Sequence, residues 1–510
     1  MNITKRRMFP ALLTILLFAT LLAGCAGKQS DAGQNDASQK EITCAADLEG
    51  ARIGVQLGTT GDIYVSDYEG DEAGTQIERY NKGADAIQAL KLGKIDCVVI
   101  DEQPGLQFVK QNSNIRIIDE EFTLEDYALC VAKENTELLD NINGALEKLK
   151  ADGTIDSIVK NYIGTDDEVG QYPYVSKEVE RNNGTLIIGT NAEFPPYEYY
   201  DNNQVTGIDI DIMRAISDEL GMDIQVEDMA FDSIIAAITS GKVNVGASGF
   251  TVTEERKKNI NFTDTYITTK QVIIVKGDSD TQKASIGEKF YDNFIKDSRY
   301  MYIVKGLGNT LLITLLAVTI GIIFGFMIAI IRTGYDRNGE LPILNAICKV
   351  YLTVMRGTPV MIQLLIIYYV ILASATNKIM VAAIAFGLNS AAYVAEIVRS
   401  GIMSVDIGQF EAGRSLGLNY EQTMQSIILP QAIKNILPAL LNEVISLLKE
   451  TSISGYIGLM DLTKGGDIIR SNTYEAFLPL IAVAIIYLAL VMLLSFLAGK
   501  LERRLRNNER

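Results

Sequence analysis

The hydrophobic pattern divides the chain in two. Up to about residue 277 apolar residues come in short runs bounded by Gly, Asn and Asp; from about residue 303 they come in long runs with few charges. In the first part, ARIGVQLG (51–58), DCVVID (96–101), TLIIGT (185–190), DIQVEDM (223–229) and VNVGASGF (243–250) read as buried strands. DAIQALKLGK (85–94), Leu138 to Val159, IDIDIMRAISDELG (208–221) and FDSIIAAITSGK (231–242) have helical spacing. Strands alternating with helices predict an α/β fold. The stretches 166–183 and 277–302 are polar and read as linkers, which leaves α/β segments at 44–165 and 184–276. In the second part, Leu311–Ile331, Val360–Ala375, Ile379–Val398, Ile433–Leu448 and Leu478–Leu497 are candidate bilayer spans, a crossing requiring roughly 20 helical residues. The second and fourth are short, and 341–357 reads as an inner-surface or broken segment.

Composition sharpens this. A chain of 510 residues with 48% hydrophobic content is too long for one domain and too apolar to be wholly soluble. The net charge of −17 is uneven: the region before residue 290 is acidic, whereas the end, LERRLRNNER, is basic, with 504–510 as a basic tail. That asymmetry argues against a nucleic-acid partner and for the two faces of a bilayer. Arg332, Arg337, Arg399 and the tail fall on one side if five spans are counted, which makes that side cytoplasmic.

The opening residues, with Lys5, Arg6 and Arg7 before an apolar run, read as an export signal over 1–24. Its ending, LAGC, resembles a bacterial lipobox, which implies lipidation of Cys25 and a membrane-lipid partner, with 25–43 as a flexible tether. The chain contains no His, so the usual general base and imidazole ligand are missing. The five Cys form no C-x-x-C spacing, Cys97 and Cys130 read as buried small hydrophobes, and no metal site is expected.

Among the apolar segments lies a polar insert, EAGRSLGLNYEQTMQSIILP (411–430). Its spacing of Glu411, Ala412, Gly417, Ile427, Leu429 and Pro430 resembles the EAA loop of ABC importer permeases, with Gly413 in place of the second alanine. A short helix, a tight turn at Gly417 and a second helix ending before Pro430 are expected. GLGNTLLIT, MRGTPVMIQL, LNSAAYVAEIVRSGI and LLKETSISGYIG extend the resemblance, to polar amino-acid permeases, over nearly all of 303–503. It implies an all-α polytopic domain of about five transmembrane helices in the bacterial plasma membrane. A separate ATPase dimer would dock on Glu411, Ala412 and Gly417. No G-x-x-x-x-G-K-[ST] phosphate loop occurs, so ATP and Mg2+ would be bound by that partner and this chain would carry no cofactor. Five spans are too few to wall a pore, so a homodimer is expected. Glu396, in or near the third span, either lines the translocation path or pairs with Arg399.

Upstream, GTNAEFPPYEYYDNNQVTGIDIDI, MAFDSII and ASGFTVTEERKKNINFTD resemble polar amino-acid-binding proteins of the two-lobed, hinge-linked solute-binding fold. A buried amino acid needs partners for carboxylate, ammonium and side chain. Arg256 offers a bidentate fork to the carboxylate beside the Thr251 N–H. Phe194 and Phe231 would flank the aliphatic part, and the Gly249 carbonyl would accept from the ammonium. Residues 44–165 resemble the other lobe, with DLEGARIGVQLGTTGD and KGADAIQALKLGKIDCVVIDEQP. There Thr60 opens a helix toward the carboxylate and Asp101 faces the ammonium. The neutral Asn191 and Gln56 favour an uncharged polar side chain, while Glu193 keeps arginine and lysine open. No catalytic residue is expected.

The two halves stand in reverse of the family order, which implies either a circular permutation or a truncated tandem pair. On the permuted reading 44–165 forms lobe two, 184–276 forms lobe one, and the anchor and the permease hold opposite lobes. An amino-acid-gated sensor or channel, or an enzyme on the same fold, is the competing expectation.

Overall fold

The computed structural model describes residues 40–507 apart from 71, 121, 202–203, 278–284, 474 and 476, and the side chains of 337, 338 and 505–507. Cys25 and the expected signal segment lie outside the described residues.

The soluble half carries two sheets. The first takes β1 (Arg52–Gln56), β2 (Gln76–Tyr80), β3 (Cys97–Asp101), β4 (Ile115–Ile117) and β5 (Thr123–Tyr127). The second takes β6 (Cys130–Ala132), β7 (Thr185–Thr190), β11 (Asp223–Asp228), β12 (Val245–Gly246) and β13 (Ile260–Phe262). Between β7 and β11, the strands β8 (Glu193–Phe194), β9 (Glu198–Asp201) and β10 (Gln204–Thr206) form an antiparallel ribbon.

The last strand, β14 (Ile267–Lys276), does not stay with its neighbours in sequence. It returns to the first sheet, antiparallel to β3, β4 and β5, and gives the order β2-β1-β3-β14-β4. Conversely β6 joins the second sheet, order β11-β7-β12-β6-β13, and the helices Thr136–Ala151 and Thr154–Ile163 follow it. The expected division is therefore corrected: lobe two comprises 44–127 plus 267–276, and lobe one comprises 130–262. The reason is burial. Ile142, Leu146, Leu149, Ile155 and Ile158 share a core with Ile208, Ile212 and Ile216 of lobe one, whereas Ile273 and Val275 share one with Ile53, Val55 and Val99. The two crossings bond to each other, Leu129 N–H donating to Thr263 Oγ1 (3.0 Å) and Tyr266 N–H to the Tyr127 carbonyl (2.9 Å), and together form the hinge.

The 166–183 linker is strapped to lobe one. Buried Asp218 accepts from Tyr174 Oη and the Lys177 N–H, both at 2.7 Å, and from Arg181.

In the apolar half, three described helices are long and apolar enough to cross a bilayer: Tyr300–Asp336, Lys378–Met403 and Phe477–Arg504. A fourth candidate is the pair Pro342–Gly357 and Val360–Ile371, bent by 110° at Thr358-Pro359. The expected second span is thus one arm of a bent pair, and the expected fourth is the helix Leu429–Glu450, which contains Pro438. Lys434, Asn435 and Glu443 make that helix polar on part of its surface. Small residues let the long helices meet: a Cβ on Gly325 would lie 2.5 Å from Val394 Cγ1, and one on Gly321 3.1 Å from Ser390.

The 411–430 insert forms the helix Ile407–Ser415, a left-handed turn at Gly417 (φ +83°), and the helical turn Tyr420–Thr423 capped by Asn419. The second helix does not stop before Pro430. A π-turn, Met424–Ile428, leads straight into Leu429–Glu450. Its i→i−5 bond, from Leu429 N–H to the Met424 carbonyl, shifts the ladder where a proline would otherwise break it. Gly413 has a packing reason, since a Cβ there would lie 2.7 Å from Thr423 Cγ2.

Candidate functional site

The cleft between the lobes is built where strands end. β1 runs out at Gln56, and the following turn presents Thr59 and Thr60; β3 ends at Asp101; β7 ends just before Asn191. These residues line one cleft with Phe194, Phe231, Ser248, Gly249 and Glu198. Thr251 and Arg256 stand at its side. The helix opened by Thr60 is only six residues long, so its dipole contributes little.

The lobes are closed on each other. Thr60 Oγ1 donates to Thr251 Oγ1 (2.7 Å), which donates to Glu125 Oε2 (2.7 Å). The Arg256 guanidinium donates to the carbonyls of Thr251 (2.9 Å) and Gly58 (2.8 Å) and lies over the rings of Phe231 and Phe250. Gln56 reaches Asn191 at 3.4 Å, and Lys82 pairs with Glu193 at 2.9 Å. The free space left is about 10 Å3, about what one water needs. A molecule the size of an amino acid fits this cleft only with the lobes further apart.

The charges there are mostly carboxyls. Burial pushes Asp101 well above the usual carboxylate range, and neighbouring Glu125 adds to the effect; Tyr127 Oη donates to Asp101. Burial raises Glu125 too, and Glu198 well above its ordinary value, the latter with Asp209 adding. Glu198 accepts from Ser248 Oγ (2.7 Å), while its second oxygen is buried without a partner, as is one oxygen of Glu125. Sequence reasoning missed Glu198, Ser248, Glu125 and Tyr127. For Glu198 the signal was present, as the acid of the quoted PPYEYY stretch.

Glu193 is not part of the cleft's charge. Burial alone would raise its carboxyl, but the ammonium groups of Lys464 (2.7 Å) and Lys82 outweigh that and hold it down to about 2. Lys464 belongs to the helix Leu462–Thr473 in the membrane half, and also pairs with Asp228 at 3.0 Å. Around this centre Lys378 pairs with Glu227 (2.5 Å), Arg470 with Asp85 (3.0 Å), and Lys82 with Asp467 (3.0 Å). Both lobes are thereby seated on the membrane half. Glu396 meets the second of its two expectations: it pairs with Arg399 (2.5 Å) and Arg332 (3.4 Å).

Residues 186–458, more than half of the chain, match the family of bacterial extracellular solute-binding proteins, family 3. A protein of Rickettsia bellii that carries the name glutamine transport system permease protein GlnP is 41% identical over 219 residues, 98% of its length and 42% of this chain. The chain belongs to the amino-acid ABC transporter permeases and carries a family 3 solute-binding domain. The arginine transport system permease protein ArtQ of Bacillus subtilis is 39% identical to this permease over 94% of its own length and 41% of this chain. A crystal structure described as an amino acid ABC transporter with histidines is 40% identical, covering 44% of this chain and all of that one, with a TM-score of 0.39. Binding domain and permease are thus one polypeptide in a membrane protein.

Proposed function

We propose that this permease is the membrane and substrate-binding subunit of an ATP-driven importer of polar amino acids. The observation that carries the reading is the seating of a two-lobed amino-acid-binding fold, through the buried Lys464–Glu193 pair, directly on the permease helices. Asp101 takes the ligand ammonium together with the Gly249 carbonyl. Arg256 and the Thr251 N–H take the carboxylate beside Thr60, while Phe194 and Phe231 close over the aliphatic part. Gln56 and Asn191 face the side chain. Glu411, Ala412 and the Gly417 turn, all exposed, dock a separate ATPase dimer that supplies ATP and Mg2+. Two copies of the chain enclose the pore in the bacterial plasma membrane, with the binding domain on the extracytoplasmic side. The names of the relatives favour glutamine or arginine as cargo.

The binding domain is circularly permuted in this reading, supported by the completion of both sheets within 44–276. Vesicles holding this chain and its ATPase should accumulate labelled amino acid only with ATP. Uptake without ATP, or ion current on adding amino acid, sinks the proposal.

A further inference from the structure

Between Lys276 and the first long helix, the stretch that reads as a polar linker turns its apolar side chains outward. Ser285 and Glu288 form a capping box that starts the helix Ile286–Phe290, and a π-turn, Tyr291–Ile295, prolongs it. A left-handed Asp297 (φ +53°) ends it just ahead of the helix Tyr300–Asn338. One side of this segment is tied to the permease. Phe294 shares a core with Tyr302, Leu462 and Val483, Asn293 Oδ1 accepts from Thr473 Oγ1 (2.8 Å), and Lys289 pairs with Glu475 (2.8 Å). The other side holds Ile286 (81% exposed), Phe290 (52%), Tyr291 (56%) and Ile295 (48%). A helix resting on a protein in water turns its apolar face inward, and so many large apolar side chains exposed in so short a segment mark a contact surface.

Two observations identify what covers it. Ile286 lines one groove with Phe477 and Leu478, the first residues of the candidate span Phe477–Arg504. The apolar stretch of that span is almost wholly exposed within the chain, so lipid surrounds it, and Phe477 is itself exposed. The apolar surface therefore runs without a break from the segment onto the span, at the end nearest the seated lobes. The second observation is charge. Lys296 and Arg299 are offset by Asp292 and Asp297, the last pairing with Arg299 at 2.9 Å. A nearly neutral, aromatic-bearing surface beside the end of a span suits the boundary between headgroups and acyl chains.

We propose that residues 285–298 are a membrane-docking element and that the bilayer itself is the occupant. Ile286, Phe290, Tyr291 and Ile295 lie among the outermost acyl carbons of the leaflet facing the binding domain. The helix Leu462–Thr473, whose Lys464 and Arg470 seat the two lobes, is thereby fastened to the lipid surface through Thr473 and the following Glu475. The element needs a bilayer but not transport, so it stands apart from the importer reading.

The chain has no Trp, so a single introduced one reports alone. Full-length Phe290→Trp, and separately Ile286→Trp, is placed in phosphatidylcholine nanodiscs whose acyl chains carry bromine. Bromine near the carbonyl end should remove about half of the fluorescence, as expected for a ring at that depth, and bromine near the methyl end should remove little. Both variants should resist aqueous acrylamide. Leu124→Trp, at an exposed position on β5 beside the hinge, should behave oppositely toward bromine and acrylamide. Replacing half of the lipid by phosphatidylglycerol should leave the quenching unchanged. Insensitivity to bromine at both positions overturns the docking: if acrylamide is also excluded, a second copy of the chain covers the face, and if acrylamide quenches, the face stands in water. Quenching that requires phosphatidylglycerol overturns it too, in favour of adsorption by charge.

Discussion

The proposed contact between Asp101 and the ligand ammonium would tie capture to pH. Burial holds the Asp101 carboxyl protonated above the usual range, and a ligand ammonium favours the ionised form, so binding should release a proton. Below the raised pKa, affinity should then climb with pH by about tenfold per unit, which calorimetry in buffers of different ionisation enthalpy detects as proton release. Asp101→Asn should flatten that slope and weaken binding by about 1.5–3 kcal/mol, the range of a hydrogen bond to a charged group. At this scale the sequence was informative where a motif surrounds the residue: Gln56, Thr60, Asp101, Asn191, Phe194, Phe231 and Gly249 do meet in one cleft. It was uninformative where one residue type serves two ends. Glu193 was weighed as a cleft charge, but the lysines that occupy it lie 111 and 271 positions away in sequence. Glu396 likewise has its partners Arg332 and Arg399 on two helices, and Glu396→Gln is expected to leave uptake within a few-fold of normal.

Among the elements, the 411–430 loop was nearly complete in the sequence. Helix, left-handed turn and second helix follow from Gly417 and the motif around it. What periodicity does not encode is a π-turn, and so Pro430 read as a stop when the ladder has merely shifted. Gly413 is a close contact within the loop, because its helix rests on Thr423 there. Gly413→Leu should cost about 1–3 kcal/mol of local stability through overpacking. Ligand-stimulated ATP hydrolysis in the reconstituted transporter should fall, while dialysis shows capture unchanged. A drop in capture as well would mean that the loop is not locally coupled. The misplaced boundary between lobes has a similar origin. A buried run such as Ile267–Lys276 announces a strand but not its sheet, and only its packing against Ile53 and Val99 assigns it.

For the molecule as a whole, that strand decides how the binding domain is held. Residue 44 and Lys276 both belong to lobe two, so the expectation that anchor and permease grip opposite lobes is overturned. Lobe one is joined to the chain through the hinge and is seated by contacts that include Glu193, Asp228 and Glu227 with Lys464 and Lys378, Lys242 with the Ala375 carbonyl, and Asn472 with the Tyr200 carbonyl. A fragment of 44–276 should unfold in one cooperative transition by calorimetry and bind amino acid. A fragment ending at residue 266, which lacks β14, should do neither. If the longer fragment failed as well, permutation would give way to the truncated tandem pair. Seating should also be acid-sensitive. Glu193 is held to about 2 from an ordinary 4.5, so its share is complete above 4.5 and is lost as pH falls through about 2; spin labels across the junction would report the separation.

The covalent path from Lys276 to Tyr300 changes what that junction must achieve. A binding protein arriving from solution must dock against its own dilution, whereas this one meets its permease at an effective concentration on the order of millimolar. A junction held by ion pairs such as Lys464–Asp228 and Lys378–Glu227 then need not be strong enough to capture a free partner. It can let go and reseat in every cycle, and a detached binding protein displaces it only above that same concentration.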